Sequence, residues 1–559
     1  MIAGRTLDLF APVLMSLPQL VSPRAIPAPG TPLAEDGPFL APAAHPDDPD
    51  RAVLVAVIDH AIPFAHPLLT TSAGLSRVAA IWLMDAGAQS RRPDIAFGQE
   101  LRGPQIDALC RPGDPEAAYR ALGLTGPGDM SMARHATHGA AVAALAAGHD
   151  PGGDAGRAHP VLAVSLPRAA LTETSGSIAA LFIQAAVIFV IARARALARQ
   201  MSQRAGRRIL PPLVVNLSLG ITAGSDDGGA LMTRLQDAIS ASTEPDLGQV
   251  HFVLPTGNHR QDCLRAHLAA GQRIGWTIPP ADPTPNAVEI WGAPGECLPR
   301  LRIAAPQTVP VAVPLDRPGE GQLLDANGHR LARIVLQRRG GASGRGCLTV
   351  ILPPTLPVDM AAPAAPAGLW QLHLDEAGPS GCDLFVHRDD RLSGLPGQGR
   401  QSRLHDPRHA RQTEDGRWPL ADDPATGSLI RRNGTASVYA RGARQIRVGA
   451  ACASPEGRVS AYTGLLPDGA PGDVTAPADA SPARPGMLVP GVAPASRQRL
   501  SGTSLAAPQV TRWLAMALTD GAHIPDRQTL RAEYARRAST LPDLPWRDGF
   551  RHPDAAAPP

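Results

Sequence analysis

The chain alternates between stretches with runs of apolar residues and stretches with almost none. The first clear run is Ala52-Val53-Leu54-Val55-Ala56-Val57-Ile58, which is rich in β-branched side chains and ends at Asp59. A strand with one wet face would alternate polar and apolar positions, whereas a short unbroken run is the pattern of a strand buried on both faces of a parallel sheet. After a loop-rich stretch, His138 opens Gly139-Ala140-Ala141-Val142-Ala143-Ala144-Leu145-Ala146-Ala147-Gly148, a helix of small residues closed by a glycine. The pattern then predicts a strand over 161–164, an apolar helix over 176–199, a strand over 213–217, a helix near 229–240 and a strand over 250–254. Strands alternating with helices in this way imply a three-layer α/β sandwich with a mostly parallel central sheet.

From about 264 to 428 the helical periodicity disappears. Proline and glycine become dense, and short β-like runs such as Leu331–Leu336, Leu348–Leu352 and Leu369–Leu374 take over, which predicts an inserted β-rich domain. The α/β pattern resumes at Gln445–Ala450 and in a helix opening near Thr503. The chain therefore divides into an extended Pro- and Ala-rich arm (1–50), a first α/β part (51–263), the insertion (264–428), a second α/β part (429–545) and a tail (546–559). A length of 559 residues, too long for one ordinary core, agrees with this division.

Charge and cysteine content narrow the function classes. The net charge is only +3, and the arginines, which supply every basic charge in the absence of lysine, are scattered among carboxylates, so nucleic-acid binding is not expected. Six cysteines without C-x-x-C or Cys/His spacing indicate neither a zinc site nor a dense disulfide framework, and leave one or two bridges open. In the first 20 residues Asp8, Pro12 and Pro18 interrupt any apolar core after Arg5, so no signal peptide is read and a cytoplasmic setting is favoured. The stretch 178–192 is the one membrane candidate, but it falls short of the roughly 20 residues needed and contains Gln184; it reads as a buried core helix, and no membrane span is expected.

The chemistry-bearing residues stand at the ends of these elements. A serine hydroxyl becomes a nucleophile only with an imidazole to take its proton, a carboxylate to orient that imidazole and donors for the developing oxyanion. Asp59 ends a strand, His138 and Ser504 each open a helix, and Asn258 follows a strand in Leu254-Pro255-Thr256-Gly257-Asn258. In open α/β sheets such carboxyl ends face the ligand crevice. Taken singly, Asp59 reads as a turn residue, Ser504 as a helix cap and Asn258 as a turn amide.

Together they resemble the subtilase family, in which the order is also Asp, His, Ser. Val55-Ala56-Val57-Ile58-Asp59 with His66-Pro67 is similar to the family's aspartate motif, and His138-Gly139-x-x-Val142-Ala143 to its histidine motif. Gly502-Thr503-Ser504-Leu505-Ala506-Ala507-Pro508 is similar to its serine motif with nothing missing. Val215–Gly220, Gly257-Asn258 and Val448-Gly449-Ala450 look like its cleft strand, oxyanion asparagine and core strand. The resemblance implies a serine endopeptidase acting on protein or peptide substrates through an acyl-enzyme on Ser504. In that reading His138 is the base, Asp59 its orienter and Asn258 an oxyanion donor, while Ser218, Leu219 and Gly220 bind the substrate. No cofactor or metal is implied.

Departures are His60-Ala61 where the family has a small hydroxyl residue and glycine, Ala140 in place of threonine, and Pro255-Thr256 in place of alanines. The competing base is His135, but only the His138 frame aligns Gly139, Val142, Ala143 and Gly148 together. His60, His66 and His149 read as structural or solvated, and the pairs Asp226-Asp227 and Asp389-Asp390 as solvated loop carboxylates. The segment before the aspartate motif is too short for a typical folded prodomain, so folding without one is expected. The long separation of Asn258 from Val448 matches subtilases with a β-domain inserted there. The rival reading is an inactive subtilase scaffold that binds a partner through its insertion.

Overall fold

The computed structural model describes residues 37–537 apart from 87–94, 96, 111–113, 115, 127–131, 135, 169, 171–174, 340–343, 360, 390–398 and 454–456. His135, most of the N-terminal arm and the tail thus lie outside the described residues.

The central sheet contains β1 (Leu54–Asp59), β2 (Val78–Leu83), β3 (Gln99–Arg102), β4 (Val161–Ser165), β5 (Leu213–Leu217) and β6 (Val250–Pro255), together with the strands Ile446–Cys452 and Val474–Asp479. Starting from Val474–Asp479, the order across the sheet is Ile446–Cys452, β6, β5, β1, β4, β2, β3. All neighbours run parallel except β2 and β3. The apolar run of β1 is explained by its position between β4 and β5, where all six residues are buried. Val55 and Val57 face one core with the helices His138–Ala147 and Thr503–Thr519. Leu54, Ala56 and Ile58 face a second core with the helix Ser177–Ala205. The three layers follow from that alternation.

The small side chains of His138–Ala147 allow a close approach to the sheet. A Cβ on Gly139 would stand 1.9 Å from the carbonyl oxygen of His60, so only glycine lets this helix start against the end of β1. Ser177–Ala205 extends six residues beyond the predicted end. The extension is accommodated because the Gln200 side chain accepts the Phe39 N–H at 3.0 Å, the Ser202 hydroxyl accepts the Ile209 N–H at 2.9 Å, and Gly206, at a φ of 66°, closes the helix. By length and composition this helix passes as a membrane span, yet 83% of its most apolar window is buried inside the fold.

Between 265 and 405 the chain forms a five-stranded and a six-stranded antiparallel sheet. Trp276, Trp370 and Leu372 from one sheet share a core with Ile290, Ile334 and Val350 from the other, the arrangement of a β-sandwich. Two main-sheet strands, β2 and β3, fall in the stretch that the sequence pattern reads as loop-rich; Val474–Asp479, where the pattern names no element, contains Pro477 and lies at a sheet edge, where proline is tolerated. Residues 37–44 are likewise more than a loose arm, since Phe39 and Leu40 are buried in the second core and the Arg102 guanidinium lies 4.0 Å above the Phe39 ring. All six cysteines are free.

Candidate active site

Asp59 closes β1 at the carboxyl edge of the sheet and is fully buried. Its carboxylate accepts the His138 Nδ1–H at 2.9 and 3.0 Å and the His60 backbone N–H at 2.8 Å. Burial alone would push this carboxyl up, but the charge of His138 and the hydrogen bonds from His138 and His60 outweigh it and hold the group well below the usual carboxylate range. His138 is the first residue of its helix. Thr137 caps that helix, accepting the Ala140 N–H at 3.1 Å while its hydroxyl donates to the Ala61 carbonyl at 2.8 Å. The threonine thereby ties the end of the aspartate strand to the start of the histidine helix. Burial disfavours the His138 cation, yet the charge and hydrogen bond of Asp59 prevail and raise its pKa above the ordinary imidazole value. The His60 ring stacks parallel to His138 with centroids 5.7 Å apart.

Ser504 occupies the first turn of Thr503–Thr519, where backbone N–H groups have no partner within the helix. Pro508, four residues on, lacks an N–H and leaves the Ser504 carbonyl without its usual helical donor. The Ser218 hydroxyl donates to that carbonyl at 3.0 Å, and Asn216 and Thr511 continue the network at 3.0 and 3.1 Å. Asn258 is oriented by its own oxygen, which accepts from the Thr503 N–H and hydroxyl at 2.9 Å each. The amide stands beside the serine: one point, where a Cβ on Gly502 would sit, lies 3.1 Å from Asn258 Nδ2, 3.5 Å from its Oδ1 and 3.4 Å from Ser504 Oγ. His138, Ser504, Asn258, Ser218, Leu219 and Gly220 all line a single cleft.

A model of the subtilase family matches residues 50–550. The chain belongs to the subtilase family. A search of curated proteins found no match. Among solved structures, the CspB protease of Clostridium perfringens aligns with a TM-score of 0.54 at 16% identity, covering 84% of each chain, a likeness that bears on the fold. Subtilases are serine proteases, so hydrolysis through a serine is the chemistry for which this site must account.

In this subtilase the predicted residues from five distant segments come together, and Ser218 has a side-chain role besides lining the cleft. Asp59, His60 and His138 also bring three potential metal donors within 4.8 Å of one another. Both Asp59 oxygens already accept hydrogen bonds, which accounts for the cluster without an ion. Sequence reasoning missed Tyr462, whose hydroxyl accepts the Gly502 N–H at 3.0 Å and donates to Asp479 at 2.7 Å, fixing the turn before the serine. It also missed the capping role of Thr137. Only the S/T-before-helix pattern, four residues of Ala136-Thr137-His138-Gly139, carried a local signal for that role.

Proposed function

We propose that this subtilase is a serine endopeptidase with Ser504 as nucleophile, His138 as general base, Asp59 as the group orienting it, and Asn258 with the Ser504 N–H as oxyanion donors. His138 takes the Ser504 proton as Oγ attacks the peptide carbonyl; the resulting oxyanion is held by Asn258 and the backbone N–H. As the C–N bond breaks, His138 returns the proton to the departing amine and leaves an ester on Ser504. Water, deprotonated by the same imidazole, then hydrolyses that ester. Leu219 and Gly220 bind the substrate backbone as an added strand beside Ser218.

The observation that carries this reading is that the Ser504 hydroxyl and the Asn258 amide stand side by side in the cleft lined by an imidazole whose Nδ1 is bonded to a buried carboxylate. The test is digestion of an unstructured protein by wild type and by Ser504→Ala, with product termini read by mass spectrometry. Internal cleavage by wild type alone is expected. Trimming only from chain ends, or equal cleavage by the Ser504→Ala protein, would overturn the reading.

A further inference from the structure

Two walls of the cleft are tied directly to the start of the serine helix. On one, residues 218–222, the Ser218 hydroxyl donates to the Ser504 carbonyl at 3.0 Å. On the other, residues 257–258, the Gly257 N–H donates to the Thr503 hydroxyl at 3.0 Å and the Asn258 oxygen accepts the Thr503 N–H at 2.9 Å. A side chain that enters between these walls therefore enters beside Ser504.

Each wall carries a glycine, and both glycines face Ser437. A Cβ on Gly220 would stand 2.9 Å from the Ser437 Cβ and closer still to its Oγ. A Cβ on Gly257 would meet the Ser437 nitrogen at 3.7 Å and its Cβ at 3.9 Å. The gap that the two glycines leave is thus already occupied, by a side chain that is only 4% exposed and lines the same cleft.

Ser437 is fastened to both walls. Its N–H donates to the Thr256 carbonyl at 2.8 Å, its hydroxyl oxygen accepts the Ile221 N–H at 3.2 Å, and the next residue, Val438, donates its N–H to the Ile221 carbonyl at 3.1 Å. The hydroxyl cannot swing aside without releasing the Ile221 N–H, which would then lack a partner. The cleft as a whole offers a cavity of about 160 Å³. An apolar cavity of roughly that size takes up a single benzene, and here the scissile peptide must share the space with the side chain beside it.

In the peptidase reading above, the acyl part of the substrate lies along the 218–220 wall, so the side chain next to the reacting carbonyl is the one that enters between the walls. Resting on that reading, we infer that Ser437 limits the substrate residue before the scissile bond to a small side chain, so that cleavage follows alanine or serine in preference to leucine or phenylalanine. Ser437 touches none of the reacting atoms in this account; it sets which peptide bond reaches them.

The test is kcat/KM on matched peptides that differ only in having Ala, Ser, Leu or Phe before the scissile bond. Wild type is expected to favour Ala and Ser over Leu and Phe by roughly 10- to 200-fold, the range that a methylene too many or too few is worth in a fitted pocket. Ser437→Gly, which empties the gap, should raise the rates on the Leu and Phe peptides relative to Ala by roughly 10-fold or more, and Ser437→Thr, which adds a methyl, should sharpen the preference for Ala. Fluorophosphonate labelling of Ser504 reports that each variant keeps a folded site, and the wild-type Ala/Leu ratio decides where a variant does not label. Wild-type rates after Leu or Phe that equal or exceed those after Ala, or a ranking that a labelled Ser437→Gly protein leaves unchanged, would overturn the inference while leaving the peptidase reading intact. Absence of both cleavage and labelling in wild type would remove the peptidase reading and the inference together.

Discussion

Ala61 has a φ of 45°, in the left-handed region that a Cβ disfavours. It is retained because its carbonyl accepts the Thr137 hydroxyl at the join between Asp59 and His138. Ala61→Gly should therefore raise unfolding stability, by about 1 kcal/mol in urea titrations, whereas Gly139→Ala, which drives a Cβ into the His60 carbonyl, should lower it by about 2 kcal/mol or more. In the proposed mechanism the Asp59–His138 pair sets the pH profile. Because the folded pKa of His138 is raised, the neutral base is lost, and activity falls, at a pH above the ordinary imidazole value of about 6.5. In Asp59→Asn only burial remains to act on His138, so an NMR titration should find its pKa below about 6.5; an unchanged value would sever the two residues. Asp59, His138 and Ser504 are legible in the sequence because each is embedded in a run of neighbours that fixes its element. Tyr462 and Asp479 are not, because their contacts join positions with no shared local pattern.

The elements carry their own pH sensitivity. His149, just beyond the helix His138–Ala147, and His159, just before β4, are buried with their ring nitrogens 3.0 Å apart and close to the buried Arg77 and Arg512. Burial first, and then the charges of Arg77 and Arg512, push His159 down to about 3; His149 is lowered further by the same causes together with the charge of His159. For a histidine depressed in the folded state, the unfolded chain takes up the proton first. Stability is thus fully present above about pH 6.5 and lost as pH falls toward the folded value, by up to about 1.4 kcal/mol per pH unit for each proton. Thermal unfolding between pH 7 and 5 should show this slope, and a His149→Gln, His159→Gln double variant should flatten it. At this scale the long apolar runs were legible, and β1, β5 and the insertion strands fall where the pattern puts them. The run Val78–Leu83 is equally apolar, but its neighbours obscure it; its identity as a strand comes from pairing with β4.

Across the whole molecule, the sandwich and the α/β part are joined at Asp226, which accepts from Arg345 at 2.7 Å and Arg265 at 3.1 Å. The sequence pattern reads Asp226 as a solvated loop carboxylate, because the arginines that claim it stand on strands of the insertion far along the chain. Asp226→Ala should leave Arg345 with only its longer contacts to Asp227 and Asp383 and Arg265 with Asp383 alone, and cost up to about 3 kcal/mol; urea unfolding of the two proteins checks this. The central claim concerns the serine itself, and the most direct measurement is intact-protein and peptide mass spectrometry after reaction with a fluorophosphonate. One adduct located on Ser504 is expected in wild type, none in Ser504→Ala, and a rate lowered on the order of 10^4- to 10^6-fold in His138→Ala. A folded wild-type protein that gains no adduct, or gains it elsewhere than Ser504, would contradict the account.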